Sequence, residues 1–295
     1  MYHAWVIWKM GKEVRIMKMK RKKMIASTAK YVLLSILAII VVIPIYYLVV
    51  TTFKTSTEAA LSPMALPSRI DFSSYVNAFE KMQYPRAFKN TVIITGCSVI
   101  GLILSASMCG YVLNRKGKYK TVQGIFLLIL SGMMFPYQMS ILGLYKVIQQ
   151  MNLMNSLLGV ILINIAINIP FATFLIKSFV NTIPIELEEA ARIDGCGTFR
   201  TFWTIIFPLM KPTIATVAIL NTLTIWNDFM GPLYFLQSRE NNVILQEVYR
   251  NIGQFSTDWT SLFPMMVLGV LPLLIFYLFM QRYIIGGVMN GSVKG

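Results

Sequence analysis

Residues 31–53 read YVLLSILAIIVVIPIYYLVVTTF, 23 positions without one Asp, Glu, Lys or Arg. As a helix at about 1.5 Å per residue this stretch would extend roughly 34 Å, enough to cross a bilayer core of ~30 Å. A helix on the surface of a soluble domain would show a polar face, and this one has none. Lys18, Lys20, Arg21, Lys22 and Lys23 precede it. A secretory signal also places charge before an apolar run. This run is too long for such a segment and lacks a small-residue cleavage site. It reads as an uncleaved first span, preceded by a basic cytoplasmic segment over 1–30.

Working outward, further apolar runs predict spans near 90–113, 121–140, 156–179, 213–236 and 262–280, six in all. The fold class expected is an all-α integral membrane protein, with residues 31–295 forming one transmembrane domain and both termini cytoplasmic. The basic loop 114–120 belongs inside. The segment 54–88, with Pro63, Pro67 and Pro85, would be external, as would 237–261. Between spans three and four, 141–155 has Leu142, Tyr145 and Ile148 at helical spacing beside Lys146, Gln149 and Gln150, which suits a short helix in the outer interface. By parity the polar segment 181–212 faces the cytoplasm. Lys54, Lys81, Arg86 and Lys89 fall outside on this topology, and the N-terminal cluster and the 114–120 loop outweigh them.

Composition agrees with this reading. The chain of 295 residues is 56% hydrophobic and 13% charged. Its mean hydropathy is +0.63. The net charge of +15 would suit nucleic acid only if it lay on a polar domain, and none is present. Cytoplasmic loops held beside anionic membrane lipid account for it. Cys97, Cys109 and Cys196 form no CxxC and read as small buried side chains, not as a disulfide or zinc set. The single histidine, His3, leaves no basis for histidine catalysis or a metal site. No GxxxxGK[ST] occurs, so no nucleotide cofactor is expected on this chain.

The span interiors are almost free of ionisable residues, which argues against an ion-coupled carrier. Lys177 sits near an inner end, where its stem reaches the headgroups. Asp228 is the exception, beside Trp226 and Asn227. Two readings of it stand level: a wet cavity or partner contact, and a span that ends early so that Asp228 meets the outer interface. Asn164, Asn168 and Asn221 read first as helix-to-helix hydrogen bonders, with pore lining as the lesser reading.

The cytoplasmic segment 181–208 carries the most information. Pro184 fits a first helical position. Glu186, Glu188 and Glu189 suit the positive end of a helix dipole. Glu188 can pair with Arg192, and Gly195 supplies a left-handed stop. Leu187, Ala190 and Ala191 form a small apolar stripe. Phe199, Phe202, Trp203 and Ile206 follow at helical spacing before Pro208 and Pro212. From the residues alone, a helix that inserts into a partner's groove and a plain solvated loop are equally good readings.

The run Glu189-Ala190-Ala191, three residues, Gly195, nine residues, then Ile205 and Phe207-Pro208 resembles the EAA loop of ABC import permeases. That family usually has Leu where Phe207 stands. The run 188–195, Trp226-Asn227-Asp228-Phe229 with Pro232-Leu233, and the end from Gln281 to Gly295 are similar to the carbohydrate, maltose-type subgroup, in particular the permease with a C-terminal tail. The resemblance covers 30–295. It implies a type I importer fold whose EAA loop is a coupling helix seated in an ATPase cleft. Glu189, Ala190, Ala191, Asp194, Gly195, Ile205 and Pro208 would carry the coupling, with Glu189 holding the loop by charge-assisted bonds. Asn221, Trp226, Asn227 and Asp228 are candidates for the translocation path. The implied partners are a second homologous permease, an ATPase dimer holding ATP and Mg, and an extracytoplasmic solute-binding protein, in a bacterial plasma membrane. Segment 237–261 would meet the binding protein, and the C-terminal tail the ATPases. The cargo would be a sugar or related solute, and the chain itself no enzyme.

Overall fold

The computed structural model describes residues 2–253 and 257–292, with side chains described for 23–24, 27–253 and 257–281. The basic positions 18–22 and the tail beyond 281 lie outside the described side chains. Among the described residues every regular element is helical.

Helix α1 covers Tyr2–Thr51, α2 Ser56–Leu61 and α3 Ser73–Lys81. Next come α4 at Tyr84–Arg115, α5 at Lys120–Ser131, α6 at Tyr137–Gln150 and α7 at Leu157–Val180. Helix α8 is Glu186–Ile193, α9 Thr198–Thr201 and α10 Phe207–Leu209, with a wide π-turn at Phe202–Ile206 before α10. The remaining helices are α11 at Lys211–Trp226, α12 at Met230–Phe235, α13 at Ile244–Arg250 and α14 at Trp259–Ser292. Among the described residues four helical stretches are long and apolar enough to cross a bilayer: Ser27–Thr51, Tyr84–Arg115, Leu157–Val180 and Trp259–Gln281. The number rises to six if two bent pairs each count as one crossing. Those pairs are Lys120–Met134 with Tyr137–Gln150, bent by 109°, and Thr198–Leu209 with Lys211–Trp226, bent by 73°.

The chain falls into two units, up to Ser74 and from Tyr75 onward. In the first, the side chains of residues 27–46 are exposed along α1. Past its end the chain folds back: Lys54 Nζ donates to the carbonyls of Ser62 (2.7 Å) and Pro63 (3.0 Å). Tyr46 donates to Met64 O at 3.0 Å, and Phe72 stands edge-on to Phe53.

The second unit is built on α4 and α7. Ser98 lies against Ile161, Gly101 against Ile165, Gly110 against Ile176 and Asn114 against Lys177, so the two helices run in the same direction. Small residues permit the close approach. A Cβ on Gly110 would meet Ile176 Cγ2 at 2.8 Å and the Lys177 backbone nitrogen at 3.0 Å. Small-residue interfaces of this kind draw membrane helices together by packing. Helix α11 packs on both α4 and α14.

Two expected elements differ from the structure. The run 121–140 is not one straight helix. Phe135 is extended (ψ 123°) as the residue before a proline must be, and α6 starts at Tyr137 rather than 141. The run 213–236 stops as a helix at Trp226. There Asn227 N–H and Nδ2 both turn back to Leu223 O, and the chain starts again as α12 at Met230. Sixteen residues span about 24 Å, short of a full bilayer core.

Near the N-terminal end of α4, the connections are clamped by polar groups. Glu247, fully buried, accepts from Arg86 (3.1 Å), Arg239 (3.1 and 3.3 Å) and Asn242 (3.0 Å). Asn155 Oδ1 accepts from the backbone of Gln237 and Ser238 at 3.0 and 2.9 Å.

Candidate functional site

Two polar groupings stand out, one at each end of the α4–α7 pair. The first is the loop 181–212. Its core is apolar. Phe202, Ile206 and Met210 are buried against Leu102, Ala106 and Tyr111 of α4 and Ala172, Ile176 and Val180 of α7. Phe202 lies 5.2 Å from Tyr111, and Trp203 lies 4.9 Å from Phe207. The π-turn, closed by Phe207 N–H on Phe202 O, sets Phe202 and Ile206 on the inward side and leaves Phe199 73% exposed. A regular helix would have grouped Phe199 with them.

Helix α8 begins at Glu186, two residues beyond Pro184. It ends in a left-handed stop. Gly195 has φ +79°, its N–H bonds Arg192 O (3.1 Å), and Cys196 N–H bonds Ala191 O (2.9 Å). This pair of bonds is the Schellman arrangement. Glu189 and Ala190 are exposed, Ala191 is buried, and Asp194 is the exposed C-cap. Ile205 and Pro208 are half-buried.

The charged anchor is Glu188, not Glu189. Glu188 is 6% exposed and accepts from Arg115 Nε at 2.6 Å and Tyr111 Oη at 2.7 Å. A second guanidinium nitrogen of Arg115 donates to Ile183 O at 2.9 Å. Glu188 therefore pairs with α4 rather than with Arg192. Magnitudes explain why. Within α8 only Glu188 and Ala191 are buried. The methyl of Ala191 contributes about 0.8 kcal/mol. Hydrogen bonds to a charged group contribute about 1.5–3 kcal/mol each, so the carboxylate, not apolar burial, fixes α8. Behind it lies a cavity of about 10 Å³ bounded by Tyr111, Glu188, Arg192, Cys196, Thr198 and Thr201. The opposite face carries Leu187, Ala190 and Ile193, all exposed, the last at 87%. Arg115 escaped the sequence reading because it sits in a basic run that orientation alone explains.

The second grouping surrounds the end of α11. Asp228 Oδ1 accepts from Gly231 N–H at 3.1 Å, capping α12, and Oδ2 faces Asn164 Nδ2 of α7 at 3.5 Å. The helix ends early, and the half-buried carboxylate lines a small cavity of about 10 Å³ with Thr91, Thr95 and Trp226. Asn221, 3% exposed, bonds Val217 O within its own helix. Asn168 and Asn164 likewise bond back within α7. Trp226 donates to Gly269 O at 3.3 Å and packs on Phe88. Trp226 thus ties α11 to α14 and α4, whereas Asn221 and Asn168 turn back on their own helices instead of bonding across to a neighbour. Of the four path candidates only Asn227 is exposed. Lys177 places its ammonium 4.2 Å from the Phe126 ring. Cys97 is exposed, and Cys109 and Cys196 are half-buried. Among the described residues no group of His, Cys, Asp and Glu could hold a metal ion.

Residues 27–289 match the family model described as binding-protein-dependent transport system inner membrane component. The chain is 34% identical over 275 residues to the melibiose/raffinose/stachyose import permease protein MelC of Bacillus subtilis, covering 92% of this chain and 99% of that protein. It is 32% identical to the diacetylchitobiose uptake system permease protein NgcG of Streptomyces coelicolor, covering 91% and 89%. Among solved structures, a bacterial ABC transporter involved in import of the acidic polysaccharide alginate shares the fold, with a TM-score of 0.78 at 22% identity over 89% of this chain and 98% of that one.

Proposed function

Because the chain belongs to the family of binding-protein-dependent transport system inner membrane components, we propose that it is the permease subunit of an ATP-driven importer whose cargo is an oligosaccharide or related sugar. The observation that carries this reading is the near full-length likeness to permeases named for oligosaccharide uptake. The chain is a multi-pass protein of the bacterial cytoplasmic membrane and a transport subunit, not an enzyme.

Six crossings give the best topology. Helices α4 and α7 run the same way, so the chain between them must cross back, and the bent pair of α5 and α6 is what lies there. The bent approach to α11 supplies the fifth crossing in the same manner. With the N-terminus inside, α8 then faces the cytoplasm. Its exposed Leu187, Ala190 and Ile193 suit a partner's groove. That partner is the ATPase dimer, which holds ATP and Mg. As the dimer closes on nucleotide it draws together α8 and its counterpart on a second, homologous permease, and the spans favour the outward-facing state. Outside, the clamped segment 237–253 presents a firm surface to a solute-binding protein. Asn227 and Asp228 are the residues best placed to meet the passing sugar.

The test is reconstitution of the whole complex in proteoliposomes with candidate oligosaccharides and their binding protein. Uptake should require internal ATP and be indifferent to a protonophore. Uptake that collapses with the ion gradient and ignores ATP would refute the reading.

A further inference from the structure

Helix α8 has one face turned out and one face gripped, and the grip is polar. Tyr111, Asn114 and Arg115 occupy one side of the last turn of α4, at i, i+3 and i+4 spacing. The Arg115 guanidinium takes hold of the chain on both sides of Pro184, at Ile183 O (2.9 Å) and at the Glu188 carboxylate (2.6 Å). Tyr111 closes the other carboxylate oxygen at 2.7 Å. Asn114 Nδ2 adds a bond to Lys177 O at 3.1 Å, so the same turn of α4 also grips the end of α7. Both members of the ion pair are shielded, with side chains 15% and 7% exposed. Apart from Ala191, α8 has no buried apolar side chain that could do this job, and a cavity lies behind it.

We propose that the Tyr111–Arg115–Glu188 clasp is the mechanical link that delivers displacement of α8 to α4. It makes α8 and the inner ends of α4 and α7 one rigid body, so a push on the exposed face tilts the membrane pair instead of bending the loop. Arg115 and Glu188 are positioning residues for coupling; they touch neither nucleotide nor sugar. The proposal rests on the importer reading above and adds to it which residues of this chain transmit the stroke.

The experiment uses the full reconstituted complex and reads ATP hydrolysed per sugar imported. Glu188→Gln and Arg115→Met should each raise that ratio roughly 5-fold or more, the scale of a lost coupling energy. Each single change leaves a partner charge buried and alone, which can destabilise the subunit. The double variant E188Q/R115M removes both charges and regains thermal stability, while the ratio stays high. Arg115→Lys keeps the charge but not the fork, and recovers the ratio only in part. A wild-type ratio in the double variant, or uptake and hydrolysis that fall in proportion, would overturn the clasp as a transmission element. Wild-type complex that imports without ATP would instead sink the functional reading beneath it.

Discussion

At the scale of single residues, Gly195 shows how a backbone requirement can be separated from a packing one. Its φ of +79° is costly for any side chain, yet a Cβ there would meet nothing within 4 Å. Gly195→Val should therefore lose about 1–2 kcal/mol from strain alone. Gly195→Asn should lose less, because asparagine tolerates the left-handed region. Thermal unfolding of the detergent-solubilised complex measures both, and sugar uptake should fall for valine far more than for asparagine. This glycine was legible in the sequence because a local turn dictates it. Glu188 was not. Three of the four residues 186–189 are acidic. Which of them turns inward depends on Arg115, 73 positions earlier in the chain. No local pattern encodes that. Asp228 is an intermediate case. Its oddness was plain in the sequence, while its role as a cap on α12 needed the break to be seen. Asp228→Ala should cost about 1 kcal/mol as a lost cap. Asp228→Asn should retain most of that stability, and a melting curve separates the two.

At the scale of helices, the α4–α7 pair depends on closeness. Gly110→Leu would drive a side chain into Ile176 and the backbone at Lys177, an overpacking cost of about 1–3 kcal/mol or more. The subunit should then fail to assemble, read as loss of the complex on size-exclusion chromatography. Gly124→Ala in α5 is the control, since a Cβ there meets nothing within 4 Å. It should be neutral or stabilise by up to about 1 kcal/mol. The long helices were readable because 20 or so uncharged residues admit few alternatives. The two bent pairs were not. Hydropathy averages across a proline such as Pro136 and reports one apolar run where the backbone makes two helices.

At the scale of the whole molecule, buried charge joins distant parts of the chain. Glu247 sits between two arginines with no exposure, and one of them also reaches Lys81 O at 2.6 Å. Removing the carboxylate with Glu247→Ala leaves Arg86 and Arg239 facing each other and Asn242 without its acceptor; both arginines are partly exposed, so water screens them and the cost is about 1–3 kcal/mol. The expected result is a marked fall in melting temperature. Substituted-cysteine labelling checks the disposition of the chain. In a background without Cys97, Cys109 and Cys196, a thiol replacing Glu189 should react only from the cytoplasmic side, and one replacing Glu240 only from outside. The family was legible from motif spacing within residues 188–208, where the left-handed stop at Gly195 and the packing of Phe202 and Ile206 constrain the chain residue by residue. The clamp around Glu247 left no such trace, being assembled from Arg86, Arg239, Asn242 and Glu247 across well over a hundred positions.

The wide turn at Phe202–Ile206 amounts to one surplus residue in an otherwise regular helix. Chain length at this point is therefore adjustable. Excising Thr204, whose side chain is exposed and bonds only back to Arg200 O, would relax the bulge to an ordinary turn and keep the flanking faces in phase, whereas adding a residue would throw them out of phase. Natural variants of this subunit that are one residue shorter here should remain active.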